Sequence, residues 1–320
     1  MKSPNKFLFL FLMVSSTCLV VSSSNWLTTW MGLEINMLGF IPLMFLKETA
    51  NESETAVKYL VPQSLGSTIF IASAVISLHL NNAQSLMSIA MCLKLGAAPL
   101  HFWFPPVMAN LSLLPAFMLL TWQKIAPIFA IPTFAPSPTP DILLVASISA
   151  LWGGVGGLNQ TDLRSLLTYS SIAHTGWMLA SINSNTSVLS FYVMTYILIN
   201  LSIYSALITT SLSSHKQLFT AQSPANSLLL ATCILSLGGL PPLSGFVMKL
   251  LVIKFTQASL LVIFTLILGA LVSLFYYLSL TFSPLLELSK THLAKIRTSK
   301  PALPLFLAQI LPLSMLLFYF

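Results

Sequence analysis

Residues 94–103 read Lys-Leu-Gly-Ala-Ala-Pro-Leu-His-Phe-Trp, and residues 237–249 read Leu-Gly-Gly-Leu-Pro-Pro-Leu-Ser-Gly-Phe-Val-Met-Lys. Each stretch interrupts a long apolar run with helix breakers, and each carries a lysine. Proline removes a backbone donor and its ring pushes away the carbonyl four residues earlier. In hydrocarbon such freed groups need partners, so broken helices persist where they are buried in protein or line a wet cavity. Alone, either proline reads as a plain kink. As a pair five spans apart, each with a lysine within reach, they carry the mark of an inverted-repeat transporter. An odd repeat length turns the second unit upside down relative to the first.

The rest of the chain fits a membrane setting. Of its 320 residues 56% are hydrophobic and 7% are charged, against about 25% charged in a soluble domain. No strand alternation and no Gly-rich nucleotide loop is present. Cys18, Cys92 and Cys233 stand singly in apolar runs, with neither metal-ligand spacing nor a disulfide framework. The chain is therefore expected to bind no metal and no redox cofactor of its own.

A spanning helix needs about 20 apolar residues. That ruler predicts an all-α polytopic protein with about eleven transmembrane helices, at 7–23, 26–46, 56–80, 84–104, 110–132, 141–158, 161–182, 187–212, 225–255, 258–284 and 302–320. The whole chain then forms a single transmembrane domain. Residues 1–24 hold the first helix, which together with 26–132 makes a first five-helix repeat; 141–284 holds a second, and 302–320 a C-terminal helix; helices 4 and 9 are the broken ones. Lys2 and Lys6 before the first apolar run also fit a signal peptide, although no small-x-small cleavage site follows.

Loop charges test this count independently. With these spans, Lys2, Lys6, Lys47, Lys58, Arg164, Lys216, Lys290, Lys295, Arg297 and Lys300 share one side, and only Lys254 falls opposite. This is the positive-inside asymmetry. It predicts a matrix or cytoplasmic N-terminus and a C-terminus on the other face. The net charge of +7 is mostly this signal. The basic residues are scattered through short loops, which gives no nucleic-acid surface.

Glu34, Lys94, Lys124 and Lys249 lie inside apolar runs. A charge near the bilayer centre costs a few kcal/mol or more, so such residues usually face a polar interior and mark an ion or proton path. An apolar setting favours the neutral form of each, and a nearby opposite charge favours the ionised form. A group held between the two can take and release a proton. For Glu34 the plainer reading is a static ion pair between helices; for Lys249 it is a snorkelling side chain. His101 adjoins the first break and His174 lies within the seventh span. Either suits a proton relay or a hydrogen-bonded packing role. His79, His215 and His292 sit at span ends or in loops.

Six strings now occur in order: Trp30-Met-Gly-Leu-Glu34-Ile-Asn-Met-Leu, residues 94–103, Thr121-Trp-Gln-Lys-Ile-Ala-Pro127, Gly156-Gly-Leu-Asn-Gln-Thr-Asp-Leu-Arg164, Tyr169-Ser-Ser-Ile-Ala-His-Thr-Gly-Trp177 and residues 237–246. Together, from about residue 26 to 285, they resemble the subunit 2 family of mitochondrial NADH:ubiquinone oxidoreductase, respiratory complex I, in its short animal form. The flanking segments resemble it only in hydropathy.

The resemblance implies an antiporter-like subunit of the membrane arm, similar to subunits of multi-subunit cation/proton antiporters. It implies proton translocation coupled to electron transfer from NADH to ubiquinone, with NADH, flavin (FMN), iron–sulfur clusters and the main quinone site in other subunits. It implies the mitochondrial inner membrane, with the N-terminus in the matrix and the C-terminus in the intermembrane space. Its partners are other membrane-arm subunits, neighbouring antiporter-like subunits among them, and bilayer lipid with cardiolipin a candidate. Residue by residue, Glu34 matches the family's intramembrane glutamate, Lys94 the lysine of the first broken helix, Lys124 the central lysine and Lys249 the lysine of the second. Pro106 departs from the polar or acidic residue that many relatives carry there, which leaves no carboxylate at that membrane edge. A stand-alone cation/proton antiporter is the second function class, and a subunit that only packs its neighbours the third.

Overall fold

The computed structural model describes residues 4–45, 50–77, 83–134, 140–210, 224–241, 243–256 and 258–290. The expected eleventh span at 302–320, Pro242, His79, His215 and His292 lie outside the described residues, as do Lys2, Lys47, Lys216, Lys295, Arg297 and Lys300. What is described is all helical. In chain order the helices are α1 (Pro4–Ser22), α2 (Trp26–Met44), α3 (Ala50–Ser77), α4 (Ala83–Leu95), α5 (Phe104–Asn110), α6 (Leu113–Leu120) and α7 (Trp122–Phe134), then α8 (Pro140–Gly157), α9 (Leu163–Ile182), α10 (Thr186–Thr210), α11 (Pro224–Gly238), α12 (Ser244–Phe255) and α13 (Leu260–Lys290).

Ten of the expected spans thus appear as thirteen helices among the described residues. The fourth is α4 followed by a non-helical stretch, with α5 beginning at its expected last residue and running to the expected start of the fifth, and the ninth is α11 plus α12. The fifth, expected whole over 110–132, is also interrupted, between α6 and α7 at Thr121. Pro127 has no N–H and crowds the carbonyl of Gln123, and the irregular residue lies just ahead of that carbonyl. The Thr121 hydroxyl donates back to the Phe117 carbonyl at 2.7 Å, a bond that often accompanies a bent helix. The third span begins at Ala50, six residues before its expected start. Its polar first turns are supported by a Glu54–Lys58 ion pair of 2.5 Å at i,i+4 spacing.

Length and composition qualify five segments among the described residues to cross a membrane: Asn51–Ser77, Leu113–Phe134, Pro140–Gly157, Thr186–Ile208 and Leu260–Phe282. The outward faces suit that solvent, since Phe7, Phe11, Leu260 and Phe275 are each more than 60% exposed. Many serine and threonine hydroxyls inside the helices bond locally. Ser171, Thr175 and Ser202 each donate to the carbonyl three residues earlier, at 2.6–2.7 Å.

The chain folds into two compact units, Met1–Ser149 and Ala150–Phe320, divided within α8. In the first, α4 packs on α3 and α7, and α2 packs on α1, α3 and α7. In the second, α9 is buried on almost every face and meets α10, α12 and α13, while α11 packs on α10, α12 and α13. Each unit therefore places its broken helix against its own interior.

Candidate functional site

The first unit ends α4 with glycine. Gly96 has φ of 68°, a left-handed conformation that only glycine adopts freely. Its N–H bonds to the Leu93 carbonyl at 3.1 Å and that of Ala97 bonds to Cys92 at 3.0 Å. This is the double bond of a Schellman motif. Two neutral side chains complete the end: the Trp103 indole donates to Leu93 O at 3.1 Å and the Gln63 amide donates to Lys94 O at 3.0 Å. The chain then passes Pro99 and His101 and re-enters helix at Phe104.

Lys94, the penultimate residue of α4, is buried. Gly66 of α3 makes room for it, because a Cβ there would stand 2.8 Å from the Lys94 Cγ. Lys94 and Lys124 both line a small cavity, about 20 Å³, with Asn36, Tyr59, Gln63 and Gln123. That volume holds about one water molecule, and the polar walls give the water partners. The walls are tied across three helices. The Tyr59 hydroxyl donates to Gln123 Oε1 at 3.4 Å, and the Gln123 side-chain N–H donates to Asn36 Oδ1 at 3.0 Å. Lys124 Nζ lies 5.4 Å from the centre of the Phe104 ring, so the first residue after the break presents a cation–π face to it.

Glu34 sits on α2, half-buried, within electrostatic reach of Lys94. No ion pair within 4.0 Å joins the two. Glu34 is not among the cavity's lining residues, and neither is His101. His101 is buried and stacks on Phe102 with ring centroids 4.7 Å apart.

The second unit repeats the helix end and changes its completion. Gly239 has φ of 82°. Its N–H bonds to Ser236 O at 3.1 Å, and the Leu240 N–H reaches Leu235 O at 3.5 Å. Here the last carbonyls of α11, those of Leu237 and Gly238, accept from Lys249 Nζ at 3.1 and 3.0 Å. Lys249 reaches them from α12, beyond the break. The negative end of the helix dipole and two unsatisfied carbonyls hold this buried ammonium in place. It is a bound side chain rather than a snorkelling one. His174 lies elsewhere in this unit, on α9, with Nδ1 2.8 Å from the Tyr192 hydroxyl and its ring 5.1 Å from that of Tyr196.

Sequence reasoning missed Asn36, Tyr59, Gln63 and Gln123 around the first cavity, and the tyrosines beside His174. The available signal was a lone amide within an apolar run, which says nothing of which helix it faces.

Broken helices ended by left-handed glycine, with buried lysines against them, are the arrangement of a transporter-like membrane protein. The model of the family NADH:quinone oxidoreductase/Mrp antiporter, TM matches residues 23–86 and 74–275. A curated NADH-ubiquinone oxidoreductase chain 2 from Nandinia binotata is 38% identical over 304 residues, covering 90% of this chain and 88% of the relative. One from Paradoxurus hermaphroditus is 39% identical over 305 residues, with the same coverage. Among solved structures, a chain of respiratory complex I from Thermus thermophilus matches with a TM-score of 0.85 at 24% identity, covering 98% of this chain and 78% of that one. A chain of the Mrp complex from Dietzia sp. matches with a TM-score of 0.69 at 18% identity, covering 90% and 60%; both likenesses are of fold. The chain belongs to the NADH:quinone oxidoreductase/Mrp antiporter transmembrane family, within its NADH-ubiquinone oxidoreductase chain 2 group. Its function is that of a membrane subunit of that oxidoreductase.

Proposed function

We propose that this subunit translocates protons in the mitochondrial inner membrane, driven by NADH–ubiquinone electron transfer in other subunits of the complex. Glu34, Lys94, Lys124 and Lys249 carry the proton, with His101 and His174 as relay groups. NADH, flavin, iron–sulfur clusters and quinone belong to the partner subunits in this reading. The N-terminus faces the matrix, as the loop charges indicate. The two five-helix repeats, 26–132 with the first helix and 141–284, are part of the same reading and are supported by the matching Gly-terminated breaks.

One observation carries the proposal: Lys94 and Lys124 line one cavity with room for a single water. A protonated Lys94 donates to that water, and the water donates to the Lys124 amine. Asn36, Gln63 and Gln123 hold the water without competing as acids. Glu34 on α2 is the group from which Lys94 takes its proton. The stand-alone antiporter reading is less supported: the family model covers both kinds of protein, and the relatives at 38–39% identity are NADH-ubiquinone oxidoreductase chains.

The test is Lys124→Met in membranes containing the assembled complex. Methionine keeps an apolar stem and removes the amine. Expected is a complex intact on a native gel, with proton uptake largely lost and NADH–quinone turnover slowed. Lys124→Arg should fail as well, because arginine does not release its proton at accessible pH. Normal pumping by an intact Met variant removes Lys124 from the path. Loss of assembly in both variants favours a packing role.

A further inference from the structure

A second cavity, of about 300 Å³, opens against Lys249 within the second unit. Its walls include Trp177 of α9, Ile253 of α12, and Ile267, Ala270 and Leu271 of α13. They are apolar except where Lys249 and the Gly238–Gly239 backbone form one end. Ile253, Ile267 and Leu271 are exposed on their outer sides, so the cavity opens onto the apolar surface of the unit.

Lys249 is 8% exposed. An ammonium has three N–H donors, and two are taken by Leu237 O and Gly238 O. The third has no partner among the described residues, and no carboxylate lies within 4.0 Å of Lys249 among them. When protonated, Lys249 is thus a buried cation with a spare donor at the end of an oily pocket. The complementary ligand carries one compact anionic acceptor on an apolar chain.

We propose that this cavity binds a long-chain carboxylic acid from the bilayer, with the carboxylate on Lys249 and the adjoining methylenes between α12 and α13. A phospholipid fits worse. The pocket is at the small end of ligand sites, and a glycerophosphate head would have to shed its water to reach a break inside an apolar span. A carboxylic acid reaches the same depth as neutral COOH. There its O–H bond breaks, the proton passes to the Lys249 amine, and the carboxylate accepts the new ammonium's N–H. If the amine already holds a proton, the acid's proton leaves to water. The binding stands on the geometry alone. Its consequence, that a bound carboxylate pins Lys249 in the charged form and slows pumping, rests on the proposed proton role.

The experiment uses the assembled complex and a palmitic acid analogue with a photoreactive diazirine near its carboxyl end. Labelled peptides are mapped by mass spectrometry. Expected is labelling on α12 and α13, displaced by palmitic acid, with hexadecanol roughly tenfold weaker or worse because it lacks the charge-assisted bond. Phosphatidic acid should not compete. Lys249→Met and Ala270→Phe should each lose the label, with assembly checked on a native gel. If neither variant assembles, the competition series on the unaltered complex decides. No labelling of α12 and α13, equal displacement by hexadecanol, displacement by phosphatidic acid, or undiminished labelling of an intact Lys249→Met complex would each overturn the site. Labelling with no effect of palmitic acid on proton uptake leaves the binding intact and counts against the proton role of Lys249.

Discussion

The two broken helices end alike and are completed differently. Both α4 and α11 stop at a left-handed glycine, and the N–H groups of that glycine and the residue after it bond two carbonyls of the last turn. After α4 the next carbonyl belongs to Lys94 itself and is met by the neutral amide of Gln63. After α11 the last two carbonyls are met by the ammonium of Lys249. Lys94 stands before its break and is held by its own helix, so its Nζ is not spent on closing a helix end. Lys249 stands after its break and serves as the cap. The same residue type thus has separable duties: the first lysine is dispensable to the backbone, and the second is part of it.

The sharpest way to break this comparison is at the packing of α12 on α11. A Cβ at Gly245 would collide with the Ser236 carbonyl oxygen, a backbone atom that cannot turn away. Gly245→Ala should prevent assembly, read as loss of the intact complex on a native gel. In the first unit the equivalent intrusion, Gly66→Ala, meets the methylene stem of Lys94 and a Leu93 methyl. Those side chains can shift, so the complex should assemble with reduced activity. Equal tolerance of both substitutions would mean that the second break is not held by close backbone contact.

The next effect separates the lysines. Lys249→Met leaves the Leu237 and Gly238 carbonyls without their donor, at about 1–3 kcal/mol for each buried group. Lys94→Met leaves its own carbonyl bonded to Gln63. Expected is a clear fall in the thermal inactivation temperature for Lys249→Met and a much smaller one for Lys94→Met, while both lose proton uptake. The reverse order of stability would show that Lys94, not Lys249, holds its break together.

The sequence made the breaks and their lysines legible because Gly, Pro and Lys are each anomalous in an apolar run. It pointed to the prolines, whereas the chain turns at Gly96 and Gly239, three and two residues ahead of Pro99 and Pro241. Glycine after a helix end with proline shortly beyond is itself a readable stop. The interruption at Thr121 was less readable, since Pro127 marks a carbonyl two residues past the irregular one. The amides of the first cavity were not readable at all. Gln63 meets a carbonyl 31 residues away and Gln123 meets an asparagine 87 residues away. Such pairings follow from which helices pack, and hydropathy carries no such information. His174 was visible as a membrane histidine, but Tyr192 of α10, which bonds it, was one apolar-run tyrosine among several.

The smallest expected effect tests the neutral cap of the first break. Gln63→Leu keeps the volume and apolar body of the side chain and removes the amide that bonds Lys94 O at 3.0 Å. Only one carbonyl loses its donor. Interhelical hydrogen bonds in membranes average about 0.6 kcal/mol, and the largest reach about 1.7. The variant should therefore assemble, with a thermal inactivation temperature lowered by less than in Lys249→Met. Gln63 also lines the cavity shared by Lys94 and Lys124, so its loss removes one polar partner of a water there. Proton uptake per NADH oxidised should hold, while maximal turnover falls. Gln63→Glu separates the two roles: a carboxylate cannot donate to the Lys94 carbonyl, yet it keeps the cavity wall polar. If Glu and Leu lower stability equally and only Leu slows turnover, the amide's donor caps α4 and its polarity serves the water. A stability loss from Gln63→Leu as large as that from Lys249→Met would erase the difference between the two breaks, because a neutral amide would then hold its helix end as firmly as the ammonium does.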